Sequence, residues 1–156
     1  MAKQTKIKTT KVKATKVKAT KVRKTPRGKY TYALGRRKTA SATVRLYSGR
    51  EQTTVNGKEI GKYFPDVIAK KLHQLPLEIT KTLGSFYASF KVVGGGKKGQ
   101  LEAAVLALSR ALIKLDPKHR LPLREAGLLT VDARARERRK AGQMGRARKK
   151  KQSPKR

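Results

Sequence analysis

Apolar and polar residues alternate most regularly between Thr39 and Leu46. One side of this stretch is entirely apolar and consists of Ala40, Ala42, Val44 and Leu46. A period of two residues is typical of a β-strand with one buried face. We expect a short second strand over residues 52–55, ended by the turn sequence Asn56-Gly57, and a third strand from Phe86 to Val93.

A period of three to four residues replaces this alternation after Gly99. Its apolar positions form one stripe, which consists of Leu101, Ala104, Val105, Leu108, Ala111, Leu112 and Leu115. The spacing predicts an amphipathic helix. Pro117, which directly follows Asp116, is expected to end it.

The chain between the second and third strands is less regular. Residues 58–64 favour a short helix, and Asp66 is placed as the N-cap of another over residues 67–72. Pro76 is expected to interrupt the chain beyond that helix. The apolar residues that we expect to be buried there are Leu75, Leu77, Ile79 and Leu83. The order of strand, strand, helices, strand and helix predicts an α+β domain with its helices on one face of a sheet.

Charge is distributed unevenly along the chain. Of 156 residues, 42 are Lys or Arg and 9 are Asp or Glu, so the formal net charge is +33. Residues 1–29 contain twelve basic and no acidic residues. Residues 30–116 contain fifteen basic and six acidic residues, and residues 117–156 contain fifteen basic and three acidic residues. This pattern indicates a compact body with two cationic arms. The partner expected for such charge is a polyanion, either nucleic acid or an anionic membrane surface.

Several classes of protein are excluded by what the sequence lacks. It has no Cys and only two His, His73 and His119, so no thiolate site or histidine metal cage can form. No apolar run is long enough to cross a membrane, and the first residues lack the apolar stretch of a secretory signal. No carboxylate pair stands near a His. We therefore expect no catalytic residue, no metal and no cofactor, and a cytoplasmic location.

The first arm is a repeat of four similar pentads, of which Thr15-Lys16-Val17-Lys18-Ala19 is one. A five-residue period produces no continuous apolar face on a helix or on a strand. We expect residues 1–29 to be disordered in isolation. They are either a nonspecific phosphate-binding tail or a solvated tail without a fixed partner.

A glycine-rich loop joins the third strand to the long helix. The Gly94 and Gly99 spacing fits a Walker A loop, but Gln100 and Leu101 replace its lysine and hydroxyl residue. Gly94, Gly96 and Gly99 match a dinucleotide fingerprint, but no second βαβ unit follows. Two interpretations remain open. The loop and the helix N-terminus bind a nucleic-acid phosphate with Lys97 and Lys98, or the glycines only make a tight turn.

Several blocks of the sequence are distinctive in their order. They are Gly35-Arg36-Arg37-Lys38-Thr39-Ala40, Val55-Asn56-Gly57, Tyr63-Phe64, Gly94-Gly95-Gly96 with Gly99-Gln100 and Ala103, Ser109-Arg110-Ala111-Leu112, Leu123-Arg124-Glu125-Ala126-Gly127, Thr130-Val131-Asp132-Ala133-Arg134, Glu137-Arg138-Arg139-Lys140 and Lys155-Arg156. Together they resemble the ribosomal protein S9 family over residues 30–156. Residues 1–29 are not part of the family pattern, and Pro154 interrupts the Ser-Lys-Arg ending of bacterial members.

The resemblance implies a non-enzymatic component of the head of the small ribosomal subunit. Its body, residues 30–131, would be an α+β domain similar to the second domain of ribosomal protein S5. Residues 132–156 would be an extended basic tail that threads through 16S rRNA and reaches the anticodon stem-loop of P-site tRNA. Neighbouring head proteins would be further partners, with no membrane and no small-molecule substrate.

Cationic chemistry and the resemblance together give the candidate site. Arginine forks can hold two phosphate oxygens, and glycines let the backbone approach a phosphate. The candidate rRNA-binding residues are Arg36, Arg37, Lys38, Lys97, Lys98, Arg124, Arg134, Arg138, Arg139, Lys140, Arg146, Arg148, Lys149, Lys150 and Lys151. The glycines expected to allow close phosphate approach are Gly94, Gly95, Gly96 and Gly99. The candidate tRNA-binding residues are Ser153, Lys155 and Arg156.

Other interpretations compete with this one. Residues 36–38 could be a solvated start of a strand, and Tyr30 and Tyr32 could either stack on bases or serve the fold alone. A histone-like protein that compacts DNA would account for the pentad arm but not for the glycine block. An enzyme with basic arms is disfavoured because the sequence offers no nucleophile, metal cluster or cofactor loop.

Overall fold

A computed structural model describes residues 28–139 and confirms the α+β class. The strands are β1 (Thr31–Arg37), β2 (Ala40–Ser48), β3 (Thr54–Val55), β4 (Lys58–Glu59) and β5 (Phe86–Val93). The helices are α1 (Ile60–Tyr63), α2 (Val67–Ile79), α3 (Lys97–Leu115) and α4 (Arg120–Glu125), with a 3-10 turn at Pro117–His119. Nearly all of the pentad arm, residues 1–27, lies outside the described residues, and so do residues 140–156 of the tail. The division into arm, body and tail stays a prediction.

The five strands form one sheet in the order β1-β2-β5-β3-β4. The pairing is antiparallel throughout, except that β3 runs parallel to β5. The alternation predicted for β2 is confirmed, because Ala40, Ala42, Val44 and Leu46 are each at most 2% exposed. The apolar face of the sheet carries the core, against which α3 packs.

Asn56 lengthens the sheet beyond the two residues of β3. It forms the turn to β4 with Gly57, and both have positive φ angles, 49° and 78°, as a two-residue hairpin turn requires. Its side-chain amide accepts from the Val92 nitrogen at 2.9 Å and donates to the Val92 carbonyl at 3.0 Å. The side chain therefore continues the backbone pairing with β5.

Helix α3 lies directly on strand β1 because residue 35 is glycine. A Cβ atom at Gly35 would overlap the Ala103 carbonyl oxygen and lie 2.7 Å from the Ala107 nitrogen. Both alanines are fully buried. The helix backbone thus touches the strand backbone, a separation that only small residues on both elements permit.

The sequence did not predict strand β1, which forms one edge of the sheet. Its outward backbone carbonyls are bound by side chains of α3. Arg110 donates from Nη1 to the Leu34 carbonyl at 2.7 Å, and Lys114 donates from Nζ to the Tyr32 carbonyl at 2.8 Å. These two contacts satisfy acceptors that an edge strand would otherwise present to water.

Helix α2 is longer than predicted, because Pro76 does not interrupt it. Pro76 lies three residues before the helix end and is fully buried, so its packing compensates for the hydrogen bond that it cannot donate. Thr80 closes the last turn by donating from Oγ1 to the Pro76 carbonyl at 2.9 Å. The prediction that Leu83 is buried was wrong. Its side chain is 56% exposed, beyond a turn in which Lys81 has a positive φ of 56°.

We predict that Gly35→Ala destabilises the domain by at least about 2 kcal/mol, the scale of overpacking in a rigid core. The added methyl group would meet helix backbone, which cannot move aside as a side chain can. Urea unfolding followed by circular dichroism would measure the loss.

Gly61→Ala is the matched control. Gly61 lies in α1, and a Cβ there would meet nothing within 4 Å. This change should be neutral or stabilise the domain by up to about 1 kcal/mol. Equal stability of the Gly35→Ala variant and the wild type would show that β1 and α3 are not in backbone contact.

Candidate nucleic-acid interface

The glycine loop between β5 and α3 packs against the β1–β2 turn. Gly94 and Gly95 have positive φ angles of 74° and 60°. A Cβ at Gly94 would lie 2.6 Å from the Thr39 carbonyl oxygen, and one at Gly95 would lie 2.9 Å from the Ala40 Cβ. These two glycines are therefore required by the fold itself, whether or not a ligand binds.

Gly96 and Gly99 are under a weaker constraint. A Cβ at Gly96 would meet nothing within 4 Å, and one at Gly99 would make only ordinary van der Waals contacts. Gly96 is the exposed N-cap of α3, with φ −100° and ψ 166°, values that other residues can adopt. Of the four candidate glycines, Gly96 best fits the predicted close approach of a phosphate, because its open side is not occupied by the protein.

Two side chains fix the loop to the neighbouring helix α1. Gln100 donates from Nε2 to the Gly94 carbonyl at 2.9 Å and accepts from the Tyr63 hydroxyl at 2.9 Å. Lys97 donates to the Tyr63 carbonyl at 3.2 Å, and its Nζ lies 3.7 Å from the centre of the Tyr63 ring. The loop is therefore held in place by its own protein contacts.

The N-terminus of α3 carries positive charge without a compensating group. Its N-cap, Gly96, provides no side-chain hydrogen bond, and no acidic residue lies in the first turn. The exposed residues Lys97 and Lys98 stand there instead. The first amides of a helix and its dipole already favour an anion, and cations at that end are unfavourable without one. The arrangement is suited to binding a phosphate group.

The three residues of the first basic cluster lie in different environments. Lys38 is exposed in the two-residue β1–β2 turn with a φ of 54°, and Arg36 is exposed on β1. Arg37 is only 17% exposed, and its Nε donates to Glu102 on α3 at 2.6 Å. Contact of Arg37 with RNA stays a prediction, and its guanidinium already has protein partners.

Arg37 also joins the body to the start of the predicted tail. Its Nη2 atom lies 3.0 Å from the Asp132 carboxylate, and its Nη1 atom donates to the Arg134 carbonyl at 3.3 Å. Arg134 folds back on Asp132, and its Nη2 atom lies 2.8 Å from the carboxylate. We call Arg37, Glu102, Asp132 and Arg134 the tail clamp. It fixes Asp132 and Arg134 against the end of β1.

The tail clamp perturbs the titration of its central carboxylate. Hydrogen bonds from the Arg134 side chain and backbone hold the pKa of the Asp132 carboxyl well below its ordinary value, and the positive charge of Arg37 adds to the effect. The ionised carboxylate is thus the form that holds the clamp together.

The structure gathers part of the candidate site at one end of the domain. Lys38, the glycine loop and the tail clamp adjoin there, because the β1–β2 turn contacts both Gly94 and Gly95. Arg124 is exposed in the last turn of α4, and no described contact joins it to this group. Arg138 and Arg139 are exposed in the part of the tail that is described. The other candidates lie outside the described residues, and they are Lys140, Arg146, Arg148, Lys149, Lys150, Lys151, Ser153, Lys155 and Arg156.

Sequence reasoning missed the two acidic partners of Arg37. Glu102 is 65 and Asp132 95 positions away in the chain, so no local pattern connects them to it. Within residues 28–139, no group of His and acidic side chains could hold a metal ion. In the same range, no helix has the length and apolar character needed to cross a membrane.

Comparison with known proteins identifies what the chain is similar to. The sequence model of the family described as ribosomal protein S9/S16 matches residues 35–156. The small ribosomal subunit protein uS9 of Maridesulfovibrio salexigens is 50% identical over 116 residues, which cover 74% of this chain and 89% of that protein. The protein of the same name from Methylacidiphilum infernorum is 46% identical over 120 residues, 77% of this chain and 88% of that protein.

We predict that the Asp132 carboxyl titrates below the ordinary aspartate pKa of about 3.9. A carboxyl whose pKa is lowered by folding stabilises the folded form above the unfolded pKa, and this contribution is lost as the pH falls. The tail clamp should therefore be intact at neutral pH and open only in acid. Carbon-13 NMR of the full chain would follow the carboxyl.

Two variants separate the contributions to this shift. Arg134→Gln should return the Asp132 pKa further toward its ordinary value than Arg37→Gln does, because Arg134 supplies the hydrogen bonds. An ordinary pKa in the wild-type chain would contradict the clamp.

Proposed function

The chain belongs to the ribosomal protein S9/S16 family, and from this premise we propose that it is a structural component of the small ribosomal subunit that binds 16S rRNA. The family is structural and in general not enzymatic. The relatives named above are small-subunit proteins, and the chain covers most of their length. We propose the head of the subunit, in the cytoplasm, as its location and neighbouring head proteins as further partners.

The N-terminus of α3 is the observation that supports rRNA binding best. It combines free helix amides, the open side of Gly96 and the exposed Lys98 on a loop fixed by protein contacts. A site that is already ordered loses little conformational entropy when its ligand binds. Since Gly94 and Gly95 are required by packing, the phosphate would approach at Gly96 and the first amides of α3.

This chemistry binds the nucleic-acid backbone and does not read bases. Phosphate contacts fix the position of a protein on a nucleic acid but carry no sequence information. The choice of RNA over DNA rests on membership of the family. The exposed cations near the loop, Lys38 and Lys98, would add further contacts with the same backbone.

The tail clamp supports a second part of the proposal. It holds Asp132 and Arg134 at the end of the domain that carries the glycine loop, and Arg138 and Arg139 follow them in the chain. We propose that the tail continues through 16S rRNA and that Ser153, Lys155 and Arg156 contact P-site tRNA. Contacts with backbone phosphates suit a site that must accept every tRNA.

We predict that Lys98→Gln weakens binding of the full chain to a 16S rRNA transcript. Affinity falls as salt rises, so the slope of log affinity against log salt is negative. Each phosphate contact that is lost should make this slope shallower by about 1. Filter binding at several salt concentrations would measure the slope. Lys70→Gln, which removes an exposed cation from α2, is the control and should leave the slope unchanged. Failure of the wild-type chain to bind the transcript would contradict the proposed function.

We predict that deletion of residues 153–156 leaves assembly intact and weakens P-site tRNA binding. The described body and its clamp do not involve these residues, so the truncated chain should sediment with the small subunit on a sucrose gradient. Subunits that contain it should bind tRNA less tightly at low magnesium, where protein contacts matter more. Unchanged tRNA affinity would show that the tail end does not contact tRNA.

A further inference from the structure

No helix covers the second face of the sheet in the part of the chain that the structure describes. The outward side chains of β1, β2 and β5 form this surface, which we call the open face. The members that matter here are Tyr32, Arg36, Thr43, Arg45, Ser89 and Lys91. None of them belongs to the tail clamp or to the glycine loop.

The strand register brings aromatic, cationic and hydroxyl side chains of the open face together. Tyr32 on β1 pairs with Arg45 on β2, which pairs in turn with Ser89 on β5. Two residues further along the same face, Thr43 on β2 pairs with Lys91 on β5. These residues line a shallow groove of about 440 Å³, and the Tyr32 side chain is 48% exposed beside it.

The cations of the open face are available to a ligand. Arg45 and Lys91 are exposed and make no ion pair with any described residue. The guanidinium of Arg45 lies 5.1 Å from the centre of the Tyr30 ring, which leaves its N–H groups free to donate. Glu59, on the outer strand β4, is paired with Lys62 at 3.1 Å. Glu51 also lies at this face, where it is hydrogen-bonded to the Tyr87 side chain. The exposed cations Arg36, Arg45 and Lys91, which make no ion pair with a described residue, still leave the face positively charged and complementary to a polyanion.

The described end of the N-terminal arm, at Gly28, lies close to the same face, but the charge of the arm is not complementary to it. Tyr30 packs on Tyr47 of β2, with ring centres 5.7 Å apart, and a Cβ at Gly28 would lie 3.8 Å from Tyr47. Residues 1–27, which precede this point, contain eleven basic and no acidic residues. A cationic segment does not neutralise a cationic surface.

A protein partner suits the open face less well than RNA does. Interfaces between proteins are built around a contiguous apolar centre depleted of charged residues. The groove has two cations, Arg45 and Lys91, in its lining, together with Tyr32, Thr43, Asn56, Gly57, Ser89 and Phe90. Aromatic rings beside cations are the combination that binds unpaired RNA, because bases stack on the ring while the phosphates meet the charges.

We propose that the open face is a second RNA-binding surface, on which Arg45 and Lys91 hold backbone phosphates and Tyr32 stacks on an unpaired base. The inference rests on the proposed function, since 16S rRNA is the RNA concerned. The open face and the α3 N-terminus would then bind different segments of rRNA.

The first experiment measures the salt dependence of binding to the 16S rRNA transcript. The full chain with Arg45→Gln and Lys91→Gln loses two phosphate contacts. Its slope of log affinity against log salt should therefore be shallower than that of the wild type by about 1.4 to 1.8. Lys70→Gln with Lys71→Gln is the matched control, because it removes two exposed charges from α2. A slope equal to that of the control would overturn the proposal.

A second comparison tests stacking at Tyr32. Tyr32→Leu should weaken binding at least about 5-fold, the lower end of the effect expected for one stacked base. Tyr32→Phe retains the ring and should bind as the wild type does. Equal weakening by both variants, or by neither, would overturn the stacking role.

Cross-linking locates the partner in assembled subunits. A photoreactive amino acid at position 32 should give an adduct with RNA, as should one at position 98. An adduct with protein at position 32, or none, would overturn the inference. RNA adducts at position 98 alone would leave the proposed function intact, whereas a wild-type chain that neither binds the transcript nor sediments with the small subunit would contradict both.

Discussion

The backbone contact between strand β1 and helix α3 at Gly35 is the constraint on which the rest of the domain depends. Because a side chain there would collide with Ala103 and Ala107, the two elements can meet only if residue 35 has none. The close approach brings Arg37 within reach of Glu102 and places Arg110 on the Leu34 carbonyl. The Arg37–Glu102 pair of the tail clamp and the hydrogen bond on the edge of the sheet depend on that contact, whereas the glycine loop is held by its own contacts with Thr39 and Ala40.

The domain uses its cations in two ways. Some stabilise the protein itself, as Arg37, Arg110 and Lys114 do through hydrogen bonds to carboxylates or carbonyls. Others, such as Lys98 and Arg45, are exposed and make no ion pair with a described residue. The first group stabilises the body, in which residues 30–116 carry nine of the 33 net positive charges. The second group leaves positive charge that only a polyanion would neutralise.

Much of the fold could be predicted because its signals are local. Strands β2 and β5 each bury mainly one face, so their alternation is visible in the sequence. The apolar stripe predicted for α3 is buried as far as Leu112, but the helix is enclosed on most sides between Leu101 and Leu112, and Leu115 at the end of the stripe is 44% exposed. Strand β1 was missed because its buried face is made of Ala33 and Gly35, which are too small to mark an apolar period. Pro76 was misjudged because burial near a helix end compensates for its missing hydrogen bond.

The candidate site was predictable only in part. The glycine loop and Lys98 could be found from the sequence. It could not be foreseen that Gly94 and Gly95 serve packing, because the turn that they contact lies more than fifty residues earlier in the chain. For the same reason, nothing local showed that Arg37 would hold the tail through Asp132.

The hydrogen bonds from Arg110 and Lys114 to β1 also affect the protein before it meets its partner. An exposed strand with free carbonyls is a template to which a second chain can add a strand of its own. Here those carbonyls already accept from the domain's own helix, and the groups that occupy them are positively charged. A second copy approaching this edge would find few free acceptors and would meet like charge. The β1 edge is thereby a poorer template for strand addition by a second chain.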